Sequence, residues 1–404
     1  MDHNKRIIAY IAPEIPGLSA TFVYNEITAL EKKGYIIVPI SIHVPMEPAI
    51  EMKSLTERTY YLYSEGTMVF LWSFLMTIMC RPKLLSKGLF WLVTDFISIG
   101  IFKKDAWKLF FHFLAACRLV KRLKAINCEH IHIHFADTPT QVGMYASALT
   151  NIPYSVTSHA NDIFEHGRLL KNKAIRSKCF VTISEFNRNY LISQGVPKEK
   201  IVVVRCGIKL NNKLKHKKIY DHMFRIGSLG RLVEKKGMSI LLHAARKIID
   251  QNINIEVIIA GDGPLKEELQ ALKESLALNQ NVTFIGAIPH ASVPEWLNEI
   301  DAFVLACQKD SRGDMDGIPV ALMEAMSQKV PVISTRISGI PELIIHKKTG
   351  LLSEPDDPNN LADQIIKLIK NQNLSEELAK NGMEYVFTEF SEETNIKRLE
   401  HCFL

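Results

Sequence analysis

Two doubly wound α/β domains are predicted by three features of the sequence. Short apolar segments of strand length alternate with helical patterns along most of the chain, and the segments run into loops carrying Gly, Pro, Asp or His. A lysine-rich, unpatterned stretch, Lys209–His222, divides the series in two. At 404 residues the chain also exceeds what one core normally holds. The expected organisation is a Rossmann-like domain over 1–208, with a helical insertion at about 60–124, and a linker over 209–222. A second Rossmann-like domain follows over 223–387, then a C-terminal helix over 388–404 that returns to the first domain. Loops at the strand C-ends of both halves predict a cleft between the two domains.

In order, Arg6–Ala12 reads as a first strand, Thr21–Lys33 as a helix stopped by Gly34, and Tyr35–His43 as the next strand. The loop between the first strand and helix, Pro13–Ser19, is not G-x-G-x-x-G, so a dinucleotide gains little support. Gly66–Cys80 carries no charge and Gly88–Phe102 is nearly as apolar, yet both fall short of the roughly 20 residues a spanning helix needs. Around them Arg81, Lys83, Lys87, Lys103, Lys104, Lys108 and Lys124 interleave with Trp72, Trp91, Trp107, Phe110 and Phe111. That mixture suits a peripheral membrane contact; a helical insertion packed on the sheet, lysines outward, is the alternative. His130–Phe135 alternates as a strand, which puts His130, His132 and His134 on one side. Glu129 faces the other way and Asp137 lies past the strand end, so a metal site is disfavoured there. Tyr154–Ser158 is a strand ending at His159, where an α/β sheet carries its site residues. After the linker, strands at Phe224–Leu229, Ile253–Ala260, Val282–Ile285, Ala302–Ala306 and Val330–Ser334 alternate with helices. One of these helices is expected to open at Pro264, with Asp262 as its cap.

The most informative stretch is Asp314–Glu324, DMDGIPVALME. Gly317 lets the backbone turn tightly and approach a ligand. Pro319 fits the first position of a helix running to about Gln328. The N–H groups from Val320 onward, just past Ile318 and the N–H-less Pro319, would then face the loop, a phosphate-binding geometry. Asp316 and Glu324 would repel a phosphate, so they are expected to accept hydrogen bonds from hydroxyls. A sugar nucleotide offers both chemistries.

Composition restricts the alternatives. A hydrophobic fraction of 47% with 23% charged residues describes a globular chain. A net charge of +6 admits an anionic substrate or membrane surface and is too weak to argue for nucleic acid. No GxxxxGK[ST] is present, which removes a P-loop nucleotidase. Seven widely spaced cysteines, never in CxxC, read as free buried thiols in a reducing compartment. The opening MDHNKRIIAYIAP enters an apolar strand almost at once, so no signal peptide is expected, and the cytosol is the expected location.

GRLVEKKG at 230–237, IAGDGP at 259–264, VTFIGAIP at 282–289 and the run from Asp314 to Ile344 resemble the nucleotide-sugar domain of retaining GT-B glycosyltransferases, family 4. IAPEIPGLSATFVYNEI at 11–27, HIHIHFA at 130–136, TSHANDIF at 157–164 and TISEFN at 182–187 resemble its colanic-acid and exopolysaccharide subgroup. The resemblance implies a GT-B fold with an acceptor-binding first domain and a donor-binding second. It implies a hexose moved with retention from a UDP-sugar or GDP-mannose to a lipid-linked or growing polysaccharide. No cofactor and no metal are implied. Location follows as cytoplasmic, with a peripheral contact on the inner face of the membrane.

By the same resemblance Arg231 and Lys236, with Gly230, hold the donor diphosphate, and Glu324 takes the ribose hydroxyls. Asp316 contacts the donor sugar, and His159 lies by its hydroxymethyl group and the reacting centre. Gly17 and Ser19 face the diphosphate, and Asp162 belongs to the same donor-binding segment as His159. Two departures stand out: Asp316 replaces the commoner Glu, and Ile208-Lys209 replaces Ile-Asp. A sugar-nucleotide epimerase of the same fold and a catalytically silent partner subunit are the competing readings. An intact Arg231, Lys236 and Glu324 argue against the silent one.

Overall fold

Alternation within the first strand sets up the first unit. In a computed structural model describing residues 6–17, 21–45, 52–208 and 223–403, β1 spans Ile7–Glu14. Its side chains divide by parity: Ala9 and Ile11 enter one core, Ile8, Tyr10 and Ala12 the other. A strand buried on both faces demands helices on both faces, which is the condition for a parallel sheet. The strands are β2 (Ile36–His43), β3 (Tyr60–Tyr61), β4 (His130–His134), β5 (Tyr154–Ser158), β6 (Cys179–Thr182) and β7 (Ile201–Val203). They pair in parallel in the order β3-β2-β1-β4-β5-β6-β7. The unit comprises Met1–Gly207 and Asn395–Leu404.

Three helices, Thr67–Cys80, Pro82–Ile99 and Lys104–Ala125, form the insertion. Phe70, Leu85, Leu92, Leu109 and Phe113 point inward and join one core of the sheet. Met68, Trp72, Met79, Phe90, Ile97, Phe102 and Trp107 point outward and are exposed. Among the described residues no helix is long and apolar enough to cross a membrane.

A buried ion pair pins the insertion. Asp95 is fully buried and accepts from Arg176 Nη1 at 2.7 Å, Asn172 Nδ2 at 2.8 Å and Tyr145 Oη at 3.0 Å. Arg176 also lies over the Trp91 ring, 4.7 Å from its centroid.

The C-terminal segment supplies Ile396, Leu399, Cys402 and Phe403 to the second core of this sheet. Cys402 forms a disulfide with Cys179 of β6. This corrects the expectation that every cysteine is a free thiol. The partners are 223 residues apart and meet only because the segment packs on the first sheet, which cysteine spacing does not reveal. Cys80, Cys117, Cys128, Cys206 and Cys307 are free.

The second unit, Ile208–Thr394, repeats the plan. Its strands are β8 (Phe224–Leu229), β9 (Ile255–Ala260), β10 (Val282–Gly286), β11 (Ala302–Leu305), β12 (Val332–Thr335) and β13 (Leu351–Ser353). All pair in parallel, in the order β10-β9-β8-β11-β12-β13. The helix expected to open at Pro264 starts at Lys266. Asp262 does not cap it; its carboxylate accepts from Gly263 N at 2.7 Å and pairs with Lys266 at 2.9 Å. The expected linker, 209–222, lies outside the described residues, as does Lys209.

Removing one member of the Asp95–Arg176 pair strands the other in the core. Asp95→Ala is expected to cost about 3–5 kcal/mol, while Asp95→Leu combined with Arg176→Met restores most of it, because a packed apolar pair avoids the desolvation cost. Thermal unfolding of the three proteins checks this.

Candidate active site

Strand order reverses between β8 and β11 in the second unit and between β1 and β4 in the first. Loops leaving the carboxyl ends on either side of such a reversal diverge and leave a crevice for ligand. In the second unit these loops are Gly230–Gly237 and Ala306–Pro319.

The loop after β8 is fixed by close backbone approaches. Gly261 has φ +139°, and a Cβ there would lie 1.9 Å from the Gly230 carbonyl oxygen. Gly237 has φ +63°, and a Cβ there would lie 1.7 Å from the Ala306 oxygen. Only glycine admits both contacts. Hydrogen bonds from Leu232 N to Asp262 O (2.9 Å) and from Leu265 N to Leu232 O (3.1 Å) complete the clamp. The Lys236 stem runs past Gly230, its Cε 3.4 Å from where a Cβ would stand.

The loop after β11 meets this clamp with two acids. Lys236 Nζ is 2.6 Å from Asp316 Oδ2. Lys235 Nζ is 2.7 Å from Asp314 Oδ2 and 3.5 Å from Asp316 Oδ1. Burial opposes the charge on Lys236 and on Asp316, but each is the other's counter-ion. The lysine is therefore held above its ordinary range and the carboxyl below it. Burial, with Asp316 beside it, pushes the Cys307 thiol far up. Arg231 is exposed, and among the described residues its guanidinium has no acidic partner. Lys235 and Asp314 are the members that sequence reasoning missed. The only signals for them were the adjacent lysines and the i, i+2 spacing of the two aspartates.

Glu324 lies in the helix Val320–Ser327. Pro319 stands one position before the expected one, as the extended residue preceding the first helical turn. Gly317, Ile318 and Pro319 are buried and Val320 half-buried. Glu324 Oε1 is 2.9 Å from Nε2 of His290, a residue of the loop after β10 that no sequence motif singles out.

In the first unit His159 follows β5 and is 8% exposed. Its ring packs on Phe22 and Phe135, with centroids 4.6 and 4.7 Å away. Phe135 follows β4 with φ +71°, a left-handed conformation uncommon for a bulky residue, and this turn brings its ring to His159. Asp162, expected to belong to the donor-binding segment, bridges backbone. It is fully buried, and its carboxylate accepts from Ala136 N (2.5 Å) and His159 N (2.8 Å). Asp162 thus ties the loops after β4 and β5 together, and burial raises its carboxyl to about 7. Gly17 is half-buried in the loop after β1, and Ser19 lies outside the described residues.

The three histidines of β4 are buried on one side, as alternation requires. The carboxylate beside His132 and His134 comes from Glu26 on the helix Thr21–Lys32, not from Glu129 or Asp137. Ligand atoms of Glu26, His132 and His134 lie within 4.8 Å of one another.

Residues 211–385 match the model of glycosyl transferases group 1, and residues 92–212 that of glycosyltransferase family 4. The amylovoran biosynthesis glycosyltransferase AmsK of Erwinia amylovora is 30% identical over 381 residues, covering 90% of this chain and 91% of that protein. The putative colanic acid biosynthesis glycosyltransferase WcaL of Escherichia coli K12 is 32% identical over 227 residues, 56% of each chain. Among solved structures, Anabaena HepE in complex with UDP and glucose superposes with TM-score 0.71 at 17% identity over 98% of both chains. A Rickettsia africae glycosyltransferase gives 0.74 at 16% identity, over 99% of this chain and 98% of that one. With a relative of this identity along nearly the whole chain and both domain models matched, the chain belongs to family 4 of the GT-B glycosyltransferases.

Proposed function

We propose that the chain transfers a hexose, with retention, from a UDP- or GDP-linked sugar to a lipid-linked or growing polysaccharide during exopolysaccharide synthesis. The observation that carries this is the clamped, cationic loop of Arg231 and Lys236, met by Asp316 at the order reversal of the second sheet. The polymers named for similar proteins, amylovoran and colanic acid, support the acceptor class, and the UDP named with HepE supports the donor.

In the reaction the bond from the anomeric carbon to the phosphate oxygen breaks, and its electron pair leaves with the diphosphate. Arg231 and Lys236 receive that charge, assisted by N–H groups opening the Val320–Ser327 helix. The acceptor hydroxyl adds on the same face of the sugar and gives its proton to the departing phosphate oxygen. With cations already placed at the leaving group, no metal is needed. Glu324 takes the ribose hydroxyls, and Asp316 passes from Lys236 to the sugar as the diphosphate arrives. His159, in the first unit, meets the sugar near the reacting carbon.

The helical insertion is proposed as a peripheral contact with an anionic membrane. Exposed Trp72, Phe102 (95% exposed) and Trp107 share that surface with Lys103, Lys104 and Lys108. A cavity of about 340 Å³ between two of its helices is lined by Trp72, Met76, Arg81, Arg118, Lys121 and Lys124, a mixture suited to a lipid phosphate. Each basic residue near an anionic surface contributes about 1 kcal/mol, so a handful suffices for reversible binding.

Arg231→Ala and Lys236→Ala are each expected to lower kcat by about 10²–10³, as for loss of one charge-stabilising donor. Released UDP or GDP across a donor panel, with membrane lipid extract as acceptor, measures this, and undiminished turnover would sink the assignment. Turnover in EDTA is expected to match that in magnesium; loss restored by magnesium would contradict a metal-free reaction. Sedimentation with phosphatidylglycerol vesicles, but not with pure phosphatidylcholine, is expected for the native chain and weakened by Trp72→Ser with Phe102→Ser. Equal sedimentation with both lipids, or with neither, would remove the membrane proposal.

A further inference from the structure

The buried polar cluster beneath His159 is the feature that the transfer reaction as described leaves unused. Nε2 of His134 lies 3.0 Å from Glu26 Oε1, and its Nδ1 lies 3.3 Å from Nε2 of His159. The two rings are inclined by only 18°, so the nitrogens face each other nearly in one plane. Glu26 also accepts from Tyr10 Oη. His132 stands 3.6 Å from the same Glu26 oxygen, but its own nitrogens go to Ser155 Oγ (2.8 Å) and Thr157 Oγ1 (3.1 Å). His130 shares the Ser155 hydroxyl at 2.8 Å. His132, His134 and His159 are all buried, while the Glu26 side chain keeps 18% of its surface.

The donor directions follow from the carboxylate. Burial opposes the charge on Glu26, but His134 and His132 outweigh it and hold the carboxyl at about 2, so it only accepts. Burial pushes His159 down to about 3, and that ring is neutral. His134 must place a proton on Nε2 to reach Glu26. In the neutral pair its Nδ1 is then bare and can only accept, which requires the proton of His159 to sit on Nε2. His159 is left with a bare Nδ1.

We propose that Glu26 and His134 are positioning residues that fix the tautomer of His159, holding its proton on Nε2 so that Nδ1 meets the substrate as a hydrogen-bond acceptor. This rests on the reading that His159 meets the donor sugar. A sugar hydroxyl is a donor that such an acceptor orients, whereas the opposite tautomer would offer it an N–H. Glu26 and His134, with His132, also form a donor set for a divalent metal, but a metal on His134 Nε2 would displace the proton on which the arrangement depends.

The test uses the full-length chain with ¹⁵N-labelled histidine at pH 8, the His159 signals being assigned by their loss in His159→Gln. Long-range ¹H–¹⁵N correlation is expected to show His159 protonated on Nε2. In Glu26→Leu the ring of His159 is expected to move to the Nδ1–H form, and kcat to fall roughly 10–100-fold, the range for a lost outer partner of a site histidine. KM for the donor stays within about twofold, since the second unit holds most of the donor. Glu26→Gln keeps an oxygen acceptor and is expected to restore both tautomer and rate, which a merely structural role for Glu26 does not predict. An unchanged tautomer in Glu26→Leu, or one tightly bound metal ion per native chain by elemental analysis, would overturn the proposal. Full turnover in His159→Ala would instead overturn the reading beneath it, an outcome the tautomer measurement does not mimic.

Discussion

Everything proposed for the second unit depends on how closely its loops pack at the carboxyl end of β8. A Cβ at Gly237 would overlap the Ala306 carbonyl and one at Gly261 the Gly230 carbonyl, so these backbones touch without intervening side chains. That contact sets where Lys236 leaves the chain and how near it comes to the loop after β11. Once the lysine is fixed, a buried carboxylate opposite it becomes tolerable, and Asp316 and Asp314 sit there with Lys236 and Lys235 as counter-ions. A flexible loop bearing the same lysines would spend side-chain entropy on every pairing, and an arriving diphosphate would have to order it. The clamp does this ordering during folding.

The first unit solves a related problem with a different device. His159, Phe135 and Ala136 come from the ends of two adjacent strands, and a single buried carboxylate, Asp162, bridges them through backbone N–H groups. Lys173, also buried, donates its ammonium to the Ala136 carbonyl, so both ends of that short loop are satisfied. Removing Asp162 would leave two buried N–H groups unpaired, a larger loss than the hydrogen bonds themselves are worth. In each unit, then, buried charge shapes a loop at the point where strand order reverses.

Much of this was legible in the sequence, because strands and helices follow from periodicity and the two lysine-flanked halves follow from one unpatterned stretch. The β4 histidines fell on one face because alternation permits nothing else. What sequence could not supply were pairings between distant segments. Glu26 lies 108 residues before His134, and helical periodicity marks its position without saying which strand it faces. Cys402 meets Cys179 only after the C-terminal segment has packed on the first sheet. The backbone role of Asp162 was hidden for a related reason: an acid beside a histidine in sequence does not show which N–H groups it will bridge. Lys235 stood in plain sight next to Lys236, and adjacency alone did not tell which of two lysines faces which acid.

Asp316 gains a physical rationale from this arrangement. The acid commoner in the family at this position is longer by one methylene, and the shorter side chain here is half of a pair closed at 2.6 Å to Lys236. Its oxygens also border the buried Cys307 thiol, at 3.8 Å, and Lys235. The shorter acid thus keeps the lysine anchored beside the loop after β11. Under the proposed function, a diphosphate entering the loop competes for Lys236 with Asp316 rather than with water. The carboxylate so displaced is a strong acceptor at the edge of the sugar position, released only when the leaving group is in place. Substrate hydroxyls are then the donors at hand to satisfy it, and a bound diphosphate without its sugar leaves that buried charge exposed to its own repulsion. On this account the substitution shapes recognition of the whole sugar nucleotide over its diphosphate product.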